Sequence, residues 1–162
     1  MRNLNWLLPL GWVAACLVLI LILSPRLAAE TAGLMPFDLR ATGYSLAEAQ
    51  AYLTAMTPAG RALYLGPIRL NDTVVPILLT LTLCLPLRRW HWGWSVPALA
   101  YGLLDLAENR AVARLIQTGP QVDGGSVALA SALTMAKFVL AAVALVLALA
   151  GLFRIWRARR TR

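Results

Sequence analysis

Apolar segments as long as a bilayer is thick recur along this chain, and they limit its possible folds more than any other feature. Four can be drawn, at about residues 6–23, 70–87, 94–116 and 126–153. At about 1.5 Å per residue, a helix over each comes near the roughly 30 Å of a hydrocarbon layer. With 60% hydrophobic and only 14% charged residues, the chain is too apolar for an ordinary soluble domain. The sequence therefore predicts an all-α membrane protein, a bundle of four transmembrane helices forming one domain over 1–162.

Charges in the connections indicate the orientation of this bundle. Arg2 precedes the first segment, Arg88 and Arg89 lie between the second and third, and the tail 154–162 carries five arginines. Four crossings put all three groups on one side, as the positive-inside rule requires, whereas three crossings would leave the tail outside. The same interface collects most of the tryptophans, namely Trp6, Trp90, Trp92, Trp94 and Trp156. We expect a multi-pass protein of a bacterial cytoplasmic (inner) membrane with both termini in the cytoplasm.

The connection 25–69 is the longest and should lie on the outer side. Ser45 and Glu48 have the spacing of a capping box, and apolar residues follow at helical intervals. Thr57-Pro58 is typical of a second helix start. The connection is therefore predicted to form a helical outer loop, lying on the membrane surface or over the bundle. A plain amphipathic linker at the interface is the alternative.

Ionisable residues inside the apolar segments are the candidates for function. A charge at the bilayer centre costs about 2.5 to 3.5 kcal/mol even on a lenient scale, so such a group normally faces the protein interior. Asp105 and Glu108 share a helix face with Tyr101, and Lys137 is the single lysine, inside the next segment. The connection 118–125 is short, which makes the third and fourth helices antiparallel neighbours. Lys137 should therefore pair with Asp105 or Glu108.

Two carboxyl groups opposite one ammonium leave a surplus acid. It must be protonated, bound to another cation, or hydrogen-bonded by a neighbour such as Asn109 or Tyr101. It could serve as a proton carrier, a general acid or a ligand donor. The cluster could instead only fix the helix register, through contacts worth about 0.6 kcal/mol each. The candidate buried polar site comprises Tyr101, Asp105, Glu108, Asn109 and Lys137.

Other positions offer little chemistry. Asn71 and Asp72 precede the second span and are expected to cap its first turn. His91 is the single histidine, and Cys16 and Cys84 lie in predicted spans without a CxxC pair. No nucleophile has an adjacent base, so no catalytic residue can be named, and no motif indicates a metal or a cofactor. The net charge of +8 includes the arginine tail, which suits anionic lipid better than nucleic acid.

Two stretches resemble a group of small bacterial four-span membrane proteins. They are Phe37-Asp38-Leu39-Arg40 with Gly43-Tyr44-Ser45 and Gly60-Arg61-Ala62-Leu63-Tyr64 before Asn71-Asp72, and Leu104-Asp105-Leu106-Ala107-Glu108-Asn109. The resemblance covers most of the chain. It implies the four-span fold and no activity, since none is assigned to that group.

Two functions stay open at this level. The leading hypothesis is a non-enzymatic accessory or scaffold protein, in which the buried trio fixes packing and the outer loop meets another membrane protein. The alternative is a protein that binds a lipid or small molecule, with transport or catalysis as variants, using Asp105 and Glu108 in a pocket open to the outer face. A cavity reaching these carboxylates favours the second hypothesis, and a sealed trio favours the first. Membrane lipids are expected partners in both cases.

Overall fold

The computed structural model describes residues 4–87 and 92–160, and every regular element in these ranges is a helix. The α-helices are α1 (Leu4–Val18), α2 (Ser24–Ala29), α3 (Leu46–Ala55), α4 (Pro58–Leu63), α5 (Arg69–Leu87), α6 (Val96–Thr118) and α7 (Gly124–Arg160). The all-helical expectation is thus confirmed. Several residues on which the expected orientation depends lie outside the described ranges, namely Arg2, Arg88, Arg89, Trp90 and Arg162, and so does His91.

Two of the long helices pass through a π-helical stretch next to a proline. Leu19–Leu23 joins α1 to α2 and precedes Pro25, while Tyr64–Ile68 joins α4 to α5 and contains Pro67. Proline has no N–H to donate, and the wider π turn lets a helix continue where an ordinary hydrogen bond is missing. As a result, α1 with α2 and α4 with α5 each form one continuous helix.

These continuous helices are longer than the sequence predicted. The first runs on to Ala29, and the second already begins at Pro58, within the expected loop 25–69. Among the described helices, three are long and apolar enough to cross a membrane: Trp6–Ala29, Pro58–Leu85 and Gly124–Arg154. Helix α6 is of comparable length but carries several charged side chains, so composition alone does not make it a fourth.

The predicted starts of the two loop helices are confirmed. At α3, the Ser45 hydroxyl accepts a hydrogen bond from the Glu48 N–H, and the Glu48 carboxylate accepts one of 2.7 Å from the Ser45 N–H. At α4, the Thr57 hydroxyl accepts from the Gly60 N–H, and Pro58 occupies the first turn. Both caps satisfy N–H groups that have no partner within the helix.

The expected cap at Asn71 and Asp72 is wrong. The helix has already begun at Pro58, so the N–H groups of this turn lie inside it and need no side-chain acceptor. Asn71 Nδ2 instead donates to the Ala15 carbonyl at 3.1 Å, which ties α5 to α1. Asp72 is buried against α6, where Asn109 Nδ2 donates to its backbone carbonyl.

Helices α1, α5, α6 and α7 pack side by side in that order, and α5 also touches α7. Helices α5 and α6 run in opposite directions, because Cys84 near the end of α5 lies beside Ser95, whereas Asp72 near its start lies beside Asn109. The same is true of α6 and α7, which are joined by the short turn Gly119–Gln121. Neighbouring helices are therefore antiparallel, as short connections require.

The packing differs between the two ends of these helices. The loop end, which carries residues 30–57, contains a large core of aromatic and aliphatic side chains, among them Phe37, Tyr44, Tyr52, Tyr64, Leu27, Ile116 and Val127. The tail end, towards Arg160, has a small cluster of Leu83, Ala98, Ala144 and Ala148. Here Gly102 lies so close to Thr80 that a side chain at 102 would overlap its hydroxyl. Small residues of this kind let helices approach closely without a large apolar core.

Candidate functional site

The ion pair predicted for Lys137 is present between α6 and α7. Lys137 Nζ lies 2.6 Å from Glu108 Oε2 and 3.3 Å from Asp105 Oδ1. The Thr134 hydroxyl donates to Glu108 Oε1 at 2.7 Å, and the Tyr101 hydroxyl donates to Asp105 Oδ2 at 2.8 Å. All five residues are buried. Both carboxylate oxygens of Asp105 and of Glu108 therefore have a partner. A buried ion pair needs such partners to offset the cost of its desolvation.

Asn109 lies next to this group but is not hydrogen-bonded to either acid. Its side chain points to α5 and donates to the Asp72 carbonyl. The structure thus joins four of the five expected site residues into one hydrogen-bonded cluster, and it uses the fifth to fasten α6 to α5. We refer to Tyr101, Asp105, Glu108, Thr134 and Lys137 as the polar cluster.

The two acids of the polar cluster differ in their surroundings. Glu108 is 0% exposed and has the shorter contact with Lys137. Asp105 borders a cavity, and Glu108 is not among the residues that line it. The expectation that both acids face one pocket is therefore wrong for Glu108, because Thr134 and Lys137 enclose its carboxylate. Of the two acids, Asp105 is the one that a molecule bound in the cavity could contact.

The cavity has a volume of about 190 Å³ and is lined by six polar and six apolar residues, which we call its polar wall and its apolar wall. The polar wall consists of Asp38, Asp72, Tyr101, Asp105, Asn109 and Lys137. The apolar wall consists of Leu19, Leu39, Val75, Pro76, Phe138 and Ala141. Where polar residues converge in a largely apolar recess, a small-molecule site is the default interpretation.

The cavity lies between α7 and the π-helical stretch that continues α1. Leu19 comes from the π-helical stretch that follows α1, and Phe138 and Ala141 come from α7. The described parts of these two helices do not pack extensively against each other, while α5 and α6 form the back of the recess. The turn Phe37–Leu39 closes it at the loop end, where Leu39 is half exposed.

Asp38 and Asp72 are site residues that the sequence did not reveal as such. Asp38 Oδ1 and Asp72 Oδ2 are both buried and have no hydrogen-bond partner in the described part of the chain. Asp72 had a signal, since it is a carboxylate at the edge of an apolar segment, but a capping role was expected for it. Asp38 is brought to the helices by a turn whose position depends on tertiary packing.

Arg40 holds the turn that carries Asp38. Its Nε and Nη2 atoms donate hydrogen bonds of 2.9 and 2.7 Å to the Met35 carbonyl. The guanidinium carbon lies 5.6 Å from the ring centres of both Phe37 and Tyr52, a distance at which a cation is attracted to an aromatic face. The turn is therefore fixed at both of its ends, and Asp38 has little freedom to move away from the cavity.

The lining of the cavity is acidic. It contains three aspartates and one lysine, and that lysine also contacts Glu108 outside the cavity. Burial raises the pKa of Asp38 above its ordinary value; the charge of Lys137 opposes this shift and that of Asp105 adds to it. Within residues 4–87 and 92–160, no three His, Cys, Asp or Glu side chains are grouped so that they could hold a metal ion.

These features define the class of protein: an all-helical chain with membrane-length helices, a buried cluster of Asp, Glu and Lys, and an acidic cavity beside it. No protein-family model, curated protein or solved structure matches the chain. The function must therefore be inferred from the geometry of the site.

Proposed function

We propose that this protein is an integral membrane protein that binds a small amphiphilic molecule in the cavity beside Asp105. The observation that carries the proposal is the reach of the cavity, which extends from the loop residues Asp38 and Leu39 to Asp105 and Lys137. A scaffold whose buried charges only fix helix register would be expected to have a sealed cluster. Here one acid of the cluster lines an open recess, and two further carboxylates point to the same space.

The proposal includes a fourth membrane crossing by α6. This helix has 23 residues, or about 34 Å, and it runs antiparallel to both α5 and α7. Its acids face its neighbours, while Arg110 and Arg114 are exposed towards the loop end, where long side chains can reach the head groups. If α5 and α7 cross the membrane, a helix packed between them and joined to them at opposite ends must cross too.

The proposed orientation puts the loop end outside and both termini in the cytoplasm of a bacterial cell. The arginines at the C-terminal end of α7 support it, because positive charges are concentrated on the cytoplasmic side. Arg69, near the loop end of α5, and Arg110, on α6, are both exposed, and their long side chains can extend to the outer head groups. At about 1.5 Å per residue, Asp72 lies roughly 5 Å and Asp105 roughly 8 Å below these arginines. The polar wall is therefore within reach of the outer head-group region.

The polarity of the cavity suits an amphiphile entering from that side. Along α5, Asp72 is followed by Val75 and Pro76, and along α7, Lys137 is followed by Phe138 and Ala141, so on these two helices the lining becomes apolar towards the tail end, while on α6 it stays polar. A molecule with its head at the loop end and its chain towards the bilayer centre would match both walls. It could enter from the lipid through the gap between α1 and α7.

A paired substitution on α7 tests this function. Ala141→Phe places a ring in the cavity, whereas Ala142→Phe adds the same ring at a neighbouring exposed position. Each protein would be purified in a neutral maltoside detergent, and small molecules that copurify would be identified by native mass spectrometry. We expect the wild type and Ala142→Phe to retain a compound that Ala141→Phe has lost. If the wild type retains none, or if both variants retain it equally, the scaffold hypothesis becomes the better one.

A further inference from the structure

We infer that the ligand of the cavity carries a positive charge, and that an ammonium group on it is held between Asp72 and Asp38. This inference rests on the proposed function and adds the chemical class of the ligand. Nothing in it requires a reaction, since the residues involved bind and orient a head group.

Negative charges outnumber positive ones around the cavity. Asp38, Asp72 and Asp105 line it together with a single cation, Lys137. Lys137 makes its shortest contact, 2.6 Å, with Glu108 and its longer one, 3.3 Å, with Asp105. Asp38 and Asp72 have no ion pair with any residue in the described ranges. A bound cation would supply the counter-charge that the protein does not provide.

Independently of charge, two carboxylate oxygens beside the cavity lack hydrogen-bond donors among the described residues. Asp72 is only 8% exposed and lines the cavity, yet its Oδ2 atom has no partner among the described residues. The Oδ1 atom of Asp38 is in the same state. Buried polar atoms are almost always satisfied, so two such acceptors beside one recess indicate a missing donor. An ammonium group offers several N–H donors from one atom and can serve both acceptors.

The residues around the cavity suit an organic cation better than a metal ion. No group of metal-ligating side chains suited to an ion occurs in the part of the chain that the structure describes. The recess continues beyond the carboxylates into an apolar wall that includes Val75, Pro76 and Phe138. An alkyl chain behind the ammonium group would cover this wall. A free alkylamine and the ethanolamine head group of a lipid share this chemistry.

The test compares two probes with the same alkyl chain, one with a charged and one with a neutral head group. Octylamine, protonated at neutral pH, and octanol would be titrated into the wild-type protein in maltoside micelles, with binding measured calorimetrically. We expect octylamine to bind at least about tenfold more tightly. Asp72→Asn should abolish this preference, because the isosteric amide keeps the shape of the wall and removes its charge. Asp123→Asn is the matched control, since Asp123 is exposed at the start of α7 and away from the cavity.

A stability measurement separates binding from a structural role. Without ligand, Asp72→Asn should have a melting temperature equal to or above that of the wild type, because it removes an unpartnered buried carboxyl. A residue needed only for folding would show a lower melting temperature. An unchanged or raised melting temperature together with a lost amine preference therefore supports the inference.

Competition with lipids identifies the source of the ammonium group. Displacement of octylamine by phosphatidylethanolamine but not by phosphatidylglycerol would assign it to a lipid head group, and displacement by neither would assign it to a free amine. Equal binding of octanol and octylamine, or an intact preference in Asp72→Asn, would overturn the inference and leave the proposed function in place. Failure of both probes to bind, with no compound copurifying with the wild type, would overturn both.

Discussion

Removal of Lys137 should destabilise the protein more than removal of Lys137 together with its closer acid. Lys137→Met leaves two buried carboxylates without a cation, and loss of one partner of a buried ion pair costs about 3 to 5 kcal/mol. The side chains concerned are at most 10% exposed, and that of Glu108 is fully enclosed. Solvent can therefore do little to relieve the unpaired charge.

The distances predict which second substitution restores stability. Glu108 lies 2.6 Å from Lys137 Nζ and has no access to the cavity, so Lys137→Met with Glu108→Gln should recover about 2 kcal/mol of the loss. Asp105 is at 3.3 Å, keeps the Tyr101 hydroxyl as a donor and borders the cavity. Lys137→Met with Asp105→Asn should recover clearly less.

Equilibrium unfolding in mixed micelles of maltoside and dodecyl sulfate would measure these free energies. The two single acid variants complete both double-mutant cycles, and Asp123→Asn reports the effect of an exposed acid. Additive losses in the Glu108 cycle would refute the reasoning, because they would mean that Lys137 and Glu108 do not interact energetically. Equal recovery in both cycles would refute the ranking by distance.

Three further predictions concern the loop and the topology. Arg40→Ala should lower the free energy of unfolding by about 1 to 2 kcal/mol and make the turn Phe37–Leu39 more sensitive to proteolysis. Arg40→Lys should not restore the wild-type stability, since lysine cannot reproduce both hydrogen bonds to Met35. Wild-type proteolysis rates in Arg40→Ala would contradict this prediction. Because burial raises the pKa of Asp38 above 3.8, the folded state binds a proton more readily than the unfolded state, so the protein should become more stable as pH falls from neutral towards 3.8. Thermal unfolding across this range should show a smaller rise in melting temperature for Asp38→Asn than for the wild type. The same dependence of melting temperature on pH in both proteins would be evidence against this prediction. The orientation can be tested with single cysteines in a variant whose Cys16 and Cys84 are replaced by alanine. A cysteine at the exposed loop position Thr42 should react with an impermeant maleimide in intact cells, whereas one at Arg160 should react only after lysis. The reverse pattern would refute the proposed orientation.

Features that depend on short-range chemistry could be predicted from the sequence. The capping box at Ser45 and Glu48 is one, because it needs only a spacing of three residues. The pairing of Lys137 with Asp105 or Glu108 is another, since helical spacing and a short turn fix the register of α6 against α7; the structure shows contacts with both acids. Both follow from local geometry that tertiary packing did not override.

The helix boundaries and the cavity could not be predicted in this way. Pro25 and Pro67 read as loop residues, yet π-helical turns carry the chain past them and extend the helices. That extension removed the need for a cap at Asp72, whose carboxylate instead lines the cavity. Asp38 reaches the same space only because the loop folds back over the bundle, a long-range arrangement with no signature in residue spacing.

The uneven distribution of the core has a consequence for how the protein opens. The aromatic core at the loop end, with Phe37 packed 4.7 Å from Tyr52, should form the last part of the structure to unfold, whereas the alanine-rich tail end has little apolar packing of its own. Asp38 and Asp72 belong to the resistant part, so their positions are set before any ligand arrives and the entropic cost of ordering them is already met by folding. Of the residues at the entry gap, Leu19 packs against this core, whereas Phe138 and Ala141 do not belong to it, so the gap should widen on the α7 side. The head-group contacts are therefore expected to be rigid, and the α7 side of the entry route to be more mobile.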